Sequence, residues 1–307
     1  MEGSQLMIYK LVTKGADILI KSNNISWGTD SQTLGSQLSF DSLHSLSMGQ
    51  VVSFFIDGYE VFRGTVVKCT ENKFSYSYTC FDYSFYLKSE VIKQFNNMDV
   101  TSGLSSLFLE FGIEHIIINI PTKINKFYKG DTIESIINDF LDQAGKDQAV
   151  NYFREMQGAK VVIDRVDNKY IYPKFLYDKD IKIDYSIENM KNKIQVVSNS
   201  EGSSPILAES EDKNSQWYYG LLQKVEKVED KDISQAKNIA DNLLKSLNRV
   251  EHSTTVPIIV LDRAETIQAN RLIYLNNDKL KAGWYWIKSA THTVTSGVHK
   301  ASINVGW

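Results

Sequence analysis

The stretch that most constrains this chain lies near its N-terminus. Val51-Val52-Ser53-Phe54-Phe55-Ile56 runs into Asp57-Gly58 and out again through Tyr59-Glu60-Val61-Phe62-Arg63-Gly64-Thr65-Val66-Val67. Two apolar runs around an Asp-Gly pair specify a tight β-hairpin, since that pair tolerates the positive φ such a turn needs. Next, Phe74-Ser75-Tyr76-Ser77-Tyr78-Thr79-Cys80 alternates apolar and polar residues, the pattern of a strand with one buried and one wet face. Earlier strand candidates at Ile18–Ile20 and Gln37–Phe40 extend this to a small barrel or sandwich. The 16 Tyr and 14 Phe push the whole 307-residue chain toward β structure, and its length allows two or three domains.

From about 82 to 145 the pattern turns helical. Leu104, Leu107, Phe108 and Phe111 share one helical face, with Gly112 at the stop position. Asp131 and Glu134 read as a capping box opening a helix whose stripe is Ile133, Ile136, Ile137, Phe140, Leu141 and Ala144, ending at Gly145. Ile116–Pro121 reads as a buried strand, and 152–155, 160–164 and 169–172 as three short ones, with a helix across 147–156 as the alternative for the first. From about 183 the β character returns in 193–198, 217–228, 254–261, 271–275, 284–293 and 300–305. A single helix interrupts it, with Asp232 and Gln235 as a second capping box and Ile233, Ala236, Ile239, Ala240, Leu243, Leu244 and Leu247 on one face. Glu201–Ser204 and Glu209–Ser215 read as surface loops. The expected fold is mainly β with an α+β insert. Its domains are a barrel or sandwich at 1–94, a small α+β domain at 95–182, and a second barrel or sandwich at 183–307 lidded by the helix at 232–249.

Composition excludes several function classes. Net charge is −3 and no basic cluster stands out, so neither nucleic-acid recognition nor an anionic membrane is indicated. The first residues lack the basic-then-apolar pattern of a signal peptide, and the longest apolar run, His115–Ile120, is far short of the roughly 20 residues a membrane helix needs. A soluble product made in a cytosol is expected. With a hairpin turn at Glu71-Asn72, Cys69 falls roughly 20 Å from Cys80, well beyond disulfide reach, so two free thiols are expected.

No catalytic signature appears: no nucleophile elbow, no His-Glu-x-x-His, no phosphate loop and no dinucleotide fingerprint. His292 and His299 flank a Ser296-Gly297 turn. If residues 294 and 299 pair, the two imidazoles are diagonal neighbours about 7 Å apart on one face. They could be two metal ligands, but no carboxylate or thiol completes a set, and two polar strand residues are the simpler reading. Cys80 and His115 could form a thiol–imidazole pair, yet Cys80 falls on an apolar face where structural thiols are the rule. Asp164, Asp167 and Asn168 hint at a calcium loop that lacks its closing Glu. Tyr83, Phe85, Tyr86 and Lys88 suggest a base-stacking strip without basic company, and packing of a short helix explains them better. The alternating charges of Glu226–Asp232 read as a solvated face. No cofactor, no metal and no catalytic residue is expected.

The order of motifs resembles the XkdQ/YqbQ type of baseplate hub protein of contractile phage tails and phage-tail-like particles. The matching stretches are Val61-Phe62-Arg63-Gly64-Thr65-Val66 and then Asp82-Tyr83-Ser84-Phe85-Tyr86-Leu87, similar to the family's Asp-x-x-x-Tyr-Leu step. They continue with Gly130-Asp131-Thr132-Ile133-Glu134-Ser135-Ile136-Ile137, Tyr185-Ser186-Ile187-Glu188-Asn189-Met190-Lys191-Asn192 and a Tyr219-Gly220 strand. The last is Gly283-Trp284-Tyr285-Trp286-Ile287 through His292 to Gly297-x-His299. Asp82, Leu87, Asn189, His292 and His299 are the structural motif residues this resemblance marks. One departure is Ala269-Asn270, where the family pattern after the turn near Asp262 calls for Gly.

The resemblance implies two tail-tube-like barrels in one chain, flanking an inserted domain, so that three chains supply six barrels. It implies a homotrimer that joins a sixfold tail tube to a threefold central spike, in contact with other baseplate proteins. Such a protein is non-enzymatic and resides in the baseplate of a virion or phage-tail-like particle, assembled in the cytoplasm of a bacterial host. The competing readings are a tail-borne peptidoglycan hydrolase and a tail-tube or tail-tip protein.

Overall fold

The computed structural model describes residues 7–148, 150–165, 169–199, 206–228, 233 and 235–307. The chain is mostly β with curled sheets. It divides into two compact units, one of residues 1–182 with 254–306 and one of 183–253 with Trp307.

In the first unit, β1 (Tyr9–Thr13), β2 (Ala16–Asp17), β3 (Ser22–Asp30), β4 (Gln37–Ser42), β5 (Val51–Ile56), β6 (Tyr59–Glu71) and β7 (Tyr76–Asp82) run in the order β3-β4-β7-β6-β5-β1. Asp57 and Gly58 both take positive φ, as the hairpin reading requires. The segment 9–30 closes the curl, since β1 pairs with β5 and β3 with β4. Leu11, Leu38, Phe54, Ile56 and Tyr78 fill the interior. Gly64 is dictated by close approach: a Cβ there would lie 2.1 Å from the Phe81 carbonyl oxygen.

The cysteine register differs from expectation. The turn falls at Asn72–Ser75, where Asn72 N donates to Ser75 O. Cys69 therefore pairs with Tyr78, two residues from Cys80. The thiols are free, but the roughly 20 Å separation was an artefact of a turn placed too early. Cys80 is buried and Cys69 is exposed.

The α+β domain that follows holds β8 (Glu90–Asp99), α1 (Val100–Glu110), β9 (His115–Ile117), β10 (Lys123–Thr132), α2 (Ile133–Gln148), β11 (Tyr152–Gln157) and β12 (Lys160–Arg165). Phe95, Leu104, Leu107, Phe108, Ile136, Ile137 and Phe140 make its dry core. The α2 stripe buries as the periodicity predicts, but the helix is capped by Thr132, whose Oγ1 accepts from Ser135 N at 3.1 Å, and it passes through Gly145. Asp131 instead accepts from Lys129 N. β8 and β10 were hidden by their Lys- and Asn-rich sequences. Bulges between Ile124 and Lys126 and between Lys129 and Asp131 break the period-two signal of β10. β9 is shorter and less buried than the apolar run 116–121 suggested, with Ile116 largely exposed.

Next come β13 (Tyr170–Ile171), β14 (Lys174–Tyr177) and β15 (Lys182–Ser186). The second unit then contains β16 (Lys193–Ser198), β17 (Ile206–Glu211), α3 (Lys213–Tyr219), β18 (Gln223–Val228) and α4 (Ala236–Leu247). β16 is central, antiparallel to β17 and parallel to β18. Two expectations change here. The apparent strand 217–228 is α3 followed by β18, because Asp212 accepts from Asn214 N and Ser215 N and so starts a helix inside the expected loop. The expected barrel lid, α4, instead packs on β16 and β17, with Ala236 and Ala240 against Ile194, Val196 and Val228. Its proposed cap Asp232 and the loop 201–204 lie outside the described residues. Gln235 caps nothing.

The chain returns to the first unit through β19 (Glu251–Asp262), β20 (Leu272–Asn277), β21 (Leu280–Thr295) and β22 (Val298–Gly306). Ser296 and Gly297 take positive φ in the β21–β22 turn. These strands form a second curl in the order β20-β21-β22-β19-β14, closed by residues 170–177, since β13 pairs with β20 and β14 with β19. The boundaries expected at 182 and 183 thus shift, because this barrel takes a wall from residues 170–177 and 183–253 forms its own unit.

The two curls repeat one plan: a short strand, a tight turn, a long strand, another turn and a closing strand, lined by two earlier strands in the same order. They differ in that β13 runs parallel to β20 where β1 runs antiparallel to β5. They are joined. The far half of β21 pairs with β3, Ser289–Val294 against Asp30–Ile25, so one 14-stranded sheet runs through both.

Core depth sets the expected mutational response. Phe140 is fully buried against Phe95 with ring centroids at 4.8 Å. Leu243 is only partly buried. Phe140→Ala is expected to cost about 3–5 kcal/mol and Leu243→Ala about 1–2 kcal/mol. Denaturant titration of the two variants checks this, and equal losses would contradict it.

Candidate functional site

The predicted motif residues occupy three separate places. Asp82 ends β7 and is 2% exposed. Its carboxylate accepts from Ser36 N at 2.6 Å, Ser36 Oγ at 2.9 Å, Ser84 N at 3.0 Å and Ser84 Oγ. It thereby caps a short 3₁₀ turn, Tyr83–Lys88. Burial pushes its carboxyl above the usual range in spite of those four donors. Leu87, at the end of that turn, is buried in the α+β core. Asp82 and Leu87 therefore form the step from the first barrel into the inserted domain. The aromatic residues Phe85 and Tyr86 lie on the same turn, ring centroids 5.5 Å apart, but both are exposed, and the turn packs through Ser84 and Leu87 instead.

Asn189 is exposed, its Nδ2 donating to Glu251 Oε2 at 3.2 Å. The residue that organises its neighbourhood is Asn192, fully buried, which sequence reasoning passed over. Its Nδ2 donates to Gly220 O at 2.7 Å and its Oδ1 accepts from Leu222 N at 2.8 Å. The tyrosine-glycine pair at 219–220 is thus the end of α3, with Gly220 at φ +78.

His292 and His299 meet, as the Val294–His299 register implies. They are 1% and 2% exposed, so they are not merely polar strand residues. His292 Nε2 lies 2.8 Å from Ile267 O, His292 Nδ1 lies 2.9 Å from His299 Nε2, and His299 Nδ1 lies 3.1 Å from Tyr9 Oη. A carbonyl only accepts, so His292 carries its proton on Nε2. Its Nδ1 then accepts from His299 Nε2, and Tyr9 donates to His299. Trp27 stacks on His292 with ring centroids at 4.6 Å. Burial lowers the pKa of His292 to about 4, and burial with the adjoining imidazole lowers that of His299 to about 3. Both rings are neutral at pH 7. The thread ties β1 to the β21–β22 hairpin, which is a structural task.

The remaining candidates separate. Burial pushes the Cys80 thiol up to about 12, and His115 packs on Phe108 while its Nδ1 contacts Ile113 O at 3.0 Å. Asp164 pairs with Lys169 at 2.7 Å, and Asp167 and Asn168 lie outside the described residues. Among the described residues, no group of three or more His, Cys, Asp or Glu side chains could hold a metal ion. No described helix is long and apolar enough to cross a membrane.

The most ordered polar contact between α+β domain and barrels is one that the sequence did not signal. Arg271, just before β20, grips Glu155 of β11 with two bonds, Nη1–Oε2 at 2.9 Å and Nη2–Oε1 at 2.8 Å. Its guanidinium also lies over Phe153. The next residue along β11, Arg154, donates to Gln32 O at 3.0 Å, beside β3. One strand of the insert thus holds both barrels, around a cavity of about 240 Å³. The departure at Ala269-Asn270 is resolved here. Asn270 takes φ +61, a left-handed position that Asn tolerates in place of Gly.

A family model described as YQBQ-like matches residues 25–306. The chain belongs to the YQBQ-like family. No curated protein sequence matches it significantly. Its fold is similar to the 43 kDa tail protein of prophage MuSo2 from Shewanella oneidensis, at TM-score 0.73 and 14% identity over 97% of this chain and 98% of that one. It is similar to a tail protein from Neisseria meningitidis, at TM-score 0.74 and 12% identity over 99% and 97%. It also resembles E. coli c3393, titled a type VI secretion component with structural similarity to T4 tail proteins gp27 and gp5, at TM-score 0.58 and 10% identity over 96% and 76%. Family and fold together support a structural role in a tail or baseplate.

Two outcomes are expected from this geometry. Both histidines are neutral when folded and titrate near pH 6.5 when unfolded, so the unfolded chain takes up their protons first as pH falls. Their contribution is fully present above about pH 6.5 and declines toward pH 4, by up to ~1.4 kcal/mol per pH unit per histidine. Urea midpoints between pH 7.5 and 5 should fall more steeply for the wild type than for His299→Gln, which keeps a donor but cannot titrate. Parallel curves would contradict the neutral pair. Separately, Arg271→Met takes from Glu155 its ion-pair partner, leaving only the Gln157 amide, where both side chains of the pair are at most 14% exposed. It is expected to cost about 3–5 kcal/mol, much of it recovered in a double variant with Glu155→Leu.

Proposed function

We propose that this protein is a baseplate hub, a homotrimer that joins a sixfold tail tube to a threefold central spike in a contractile injection particle. The observation that carries this reading is the duplicated barrel plan within one chain, linked by the pairing of β3 with β21. A tube subunit needs only one such barrel. Three chains supply six, which lets a threefold assembly present quasi-sixfold symmetry to a tube on one side. The partners are then its own copies, the tube protein, the spike protein and other baseplate proteins. The location is the baseplate of a virion or phage-tail-like particle, assembled in the bacterial host cytoplasm. The buried residues support a mechanical role. The histidines, Asp82 and the Arg271–Glu155 pair all fix elements to one another, and although Asp82, Glu155 and Arg271 line the cavity, their polar groups are engaged with partners within the fold. The domain assignment under this reading is two tube-like barrels, with the α+β domain inserted between them and residues 183–253 inserted within the second.

The test is stoichiometry in the assembled particle. Quantitative mass spectrometry of purified tails should give three copies of this chain for every six in a tube ring. Six copies would favour a tube or tail-tip protein instead.

A further inference from the structure

The internal duplication extends to individual hydrogen bonds. In the second barrel, Asn270 N donates to Ile287 O at 3.0 Å and Ile287 N to Arg271 O at 2.9 Å. In the first, Gly49 N donates to Val66 O at 2.8 Å and Val66 N to Gln50 O at 3.0 Å. Asn270 and Gly49 both take positive φ. Directly afterwards each long strand shifts register against its successor, between Ile287 and Ser289 on β21 and between Val66 and Lys68 on β6. Val66 and Ile287 are thus equivalent positions.

Beyond these positions the two barrels differ. On β21 the edge vacated by β20 is filled at once by β3, through Ser289–Val294. On β6 the edge vacated by β5 is filled by no strand among the described residues, although Lys68, Cys69, Thr70 and Glu71 are still extended and exposed. Main-chain groups on such an edge are a template for another strand.

We propose that this edge receives β15 of a second copy of the chain, so that a continuous sheet closes the ring. This rests on the trimeric reading above. The choice of β15 follows from the same equivalence. β3 lies beside β4, the neighbour of β7; β14 and then β15 lie beside β19, the neighbour of β22. β15, beside the first residues of β19, corresponds to the later residues of β3, which lie beside the first residues of β4. The Lys182 carbonyl accepts from Thr254 Oγ1 of β19 at 2.5 Å, and no strand pairs with the other edge of β15 among the described residues. Charge agrees with an antiparallel arrangement: the register that sets Lys182 of β15 opposite Glu71 pairs opposite signs and puts Asp184 opposite Cys69. The contact is head-to-tail, uses two different surfaces, and closes after three copies.

Cys69 lies within the receiving edge and serves as the probe. Residues opposite one another on antiparallel strands have Cα atoms about 4.5–5.5 Å apart, within disulfide range. Tails carrying Ile183→Cys, Asp184→Cys or Tyr185→Cys are oxidised and run on non-reducing gels, with copy number measured on the same preparation. At least one position is expected to convert the band into a covalent trimer, and adding Cys69→Ser should abolish it. Three copies per tail with no covalent product at any position, or Cys69 joined to a different protein, would overturn the strand exchange and leave the hub reading intact. Six copies would remove the hub reading, and the strand exchange with it.

Discussion

The architecture of the larger unit depends on one unequal pair of strand lengths. β20 covers only the first half of β21, and the remaining half is free to accept β3 from the opposite end of the chain. An open edge of this kind is a hazard unless it is covered. Here it is covered by a strand more than 250 residues earlier in sequence. The entropic cost of that closure is modest because loop entropy grows only with the logarithm of length. It also explains why residues 1–182 and 254–306 form one compact unit, although a complete second unit intervenes.

Along that seam the core is partly polar, and the polar groups are consistent with a need for register. A purely apolar face forbids a one-residue slip, which would turn it outward, but a two-residue slip would keep every apolar residue inside. The histidine thread does not allow it. Tyr9 Oη, His299, His292 and Ile267 O are in line only when β1, β22, β21 and the segment before β20 are in their observed positions. Any slip leaves a buried imidazole without a partner, which costs more than a lost apolar contact. The Arg271–Glu155 pair works in the same way on the insert, since a bidentate fork has one good geometry.

Local patterns made some of this legible. Asp57-Gly58, Ser296-Gly297, the α2 stripe and the 294–299 register could all be read because each rests on residues close in sequence. The Cys69–Cys80 distance failed for a local reason, a turn placed two residues early, which set Cys69 opposite Phe74 where it pairs with Tyr78. The domain boundary failed for a non-local reason. Tyr170–Ile171 and Lys174–Tyr177 look like any short strands, and nothing in their sequence says that they close a barrel whose other strands begin at residue 251. The amphipathic face of α4 is equally silent about its partner, because periodicity shows that a face is buried and not what covers it. Asn192 and Arg271 were missed since a buried polar residue has no sequence signature before its partners are known. The resemblance to hub proteins supplied the duplication that periodicity could not.

The two barrels have diverged most where their plan permits it. The β3–β4 connection of the first is residues 31–36, whereas the equivalent β15–β19 connection of the second carries β16–β18, α3 and α4. The turn before the long strand stays tight in both, at Asp57-Gly58 between β5 and β6 and at Asp278-Lys279 between β20 and β21. Insertions at a turn between short peripheral strands leave the hydrogen-bonded framework untouched, whereas one in the tight hairpin would break the long strand that links the barrels. The duplication, under the hub reading, keeps two barrels similar enough to alternate around a ring and different enough that a full turn repeats three times, not six. Under the hub reading, that difference is what turns quasi-sixfold contacts into a threefold surface.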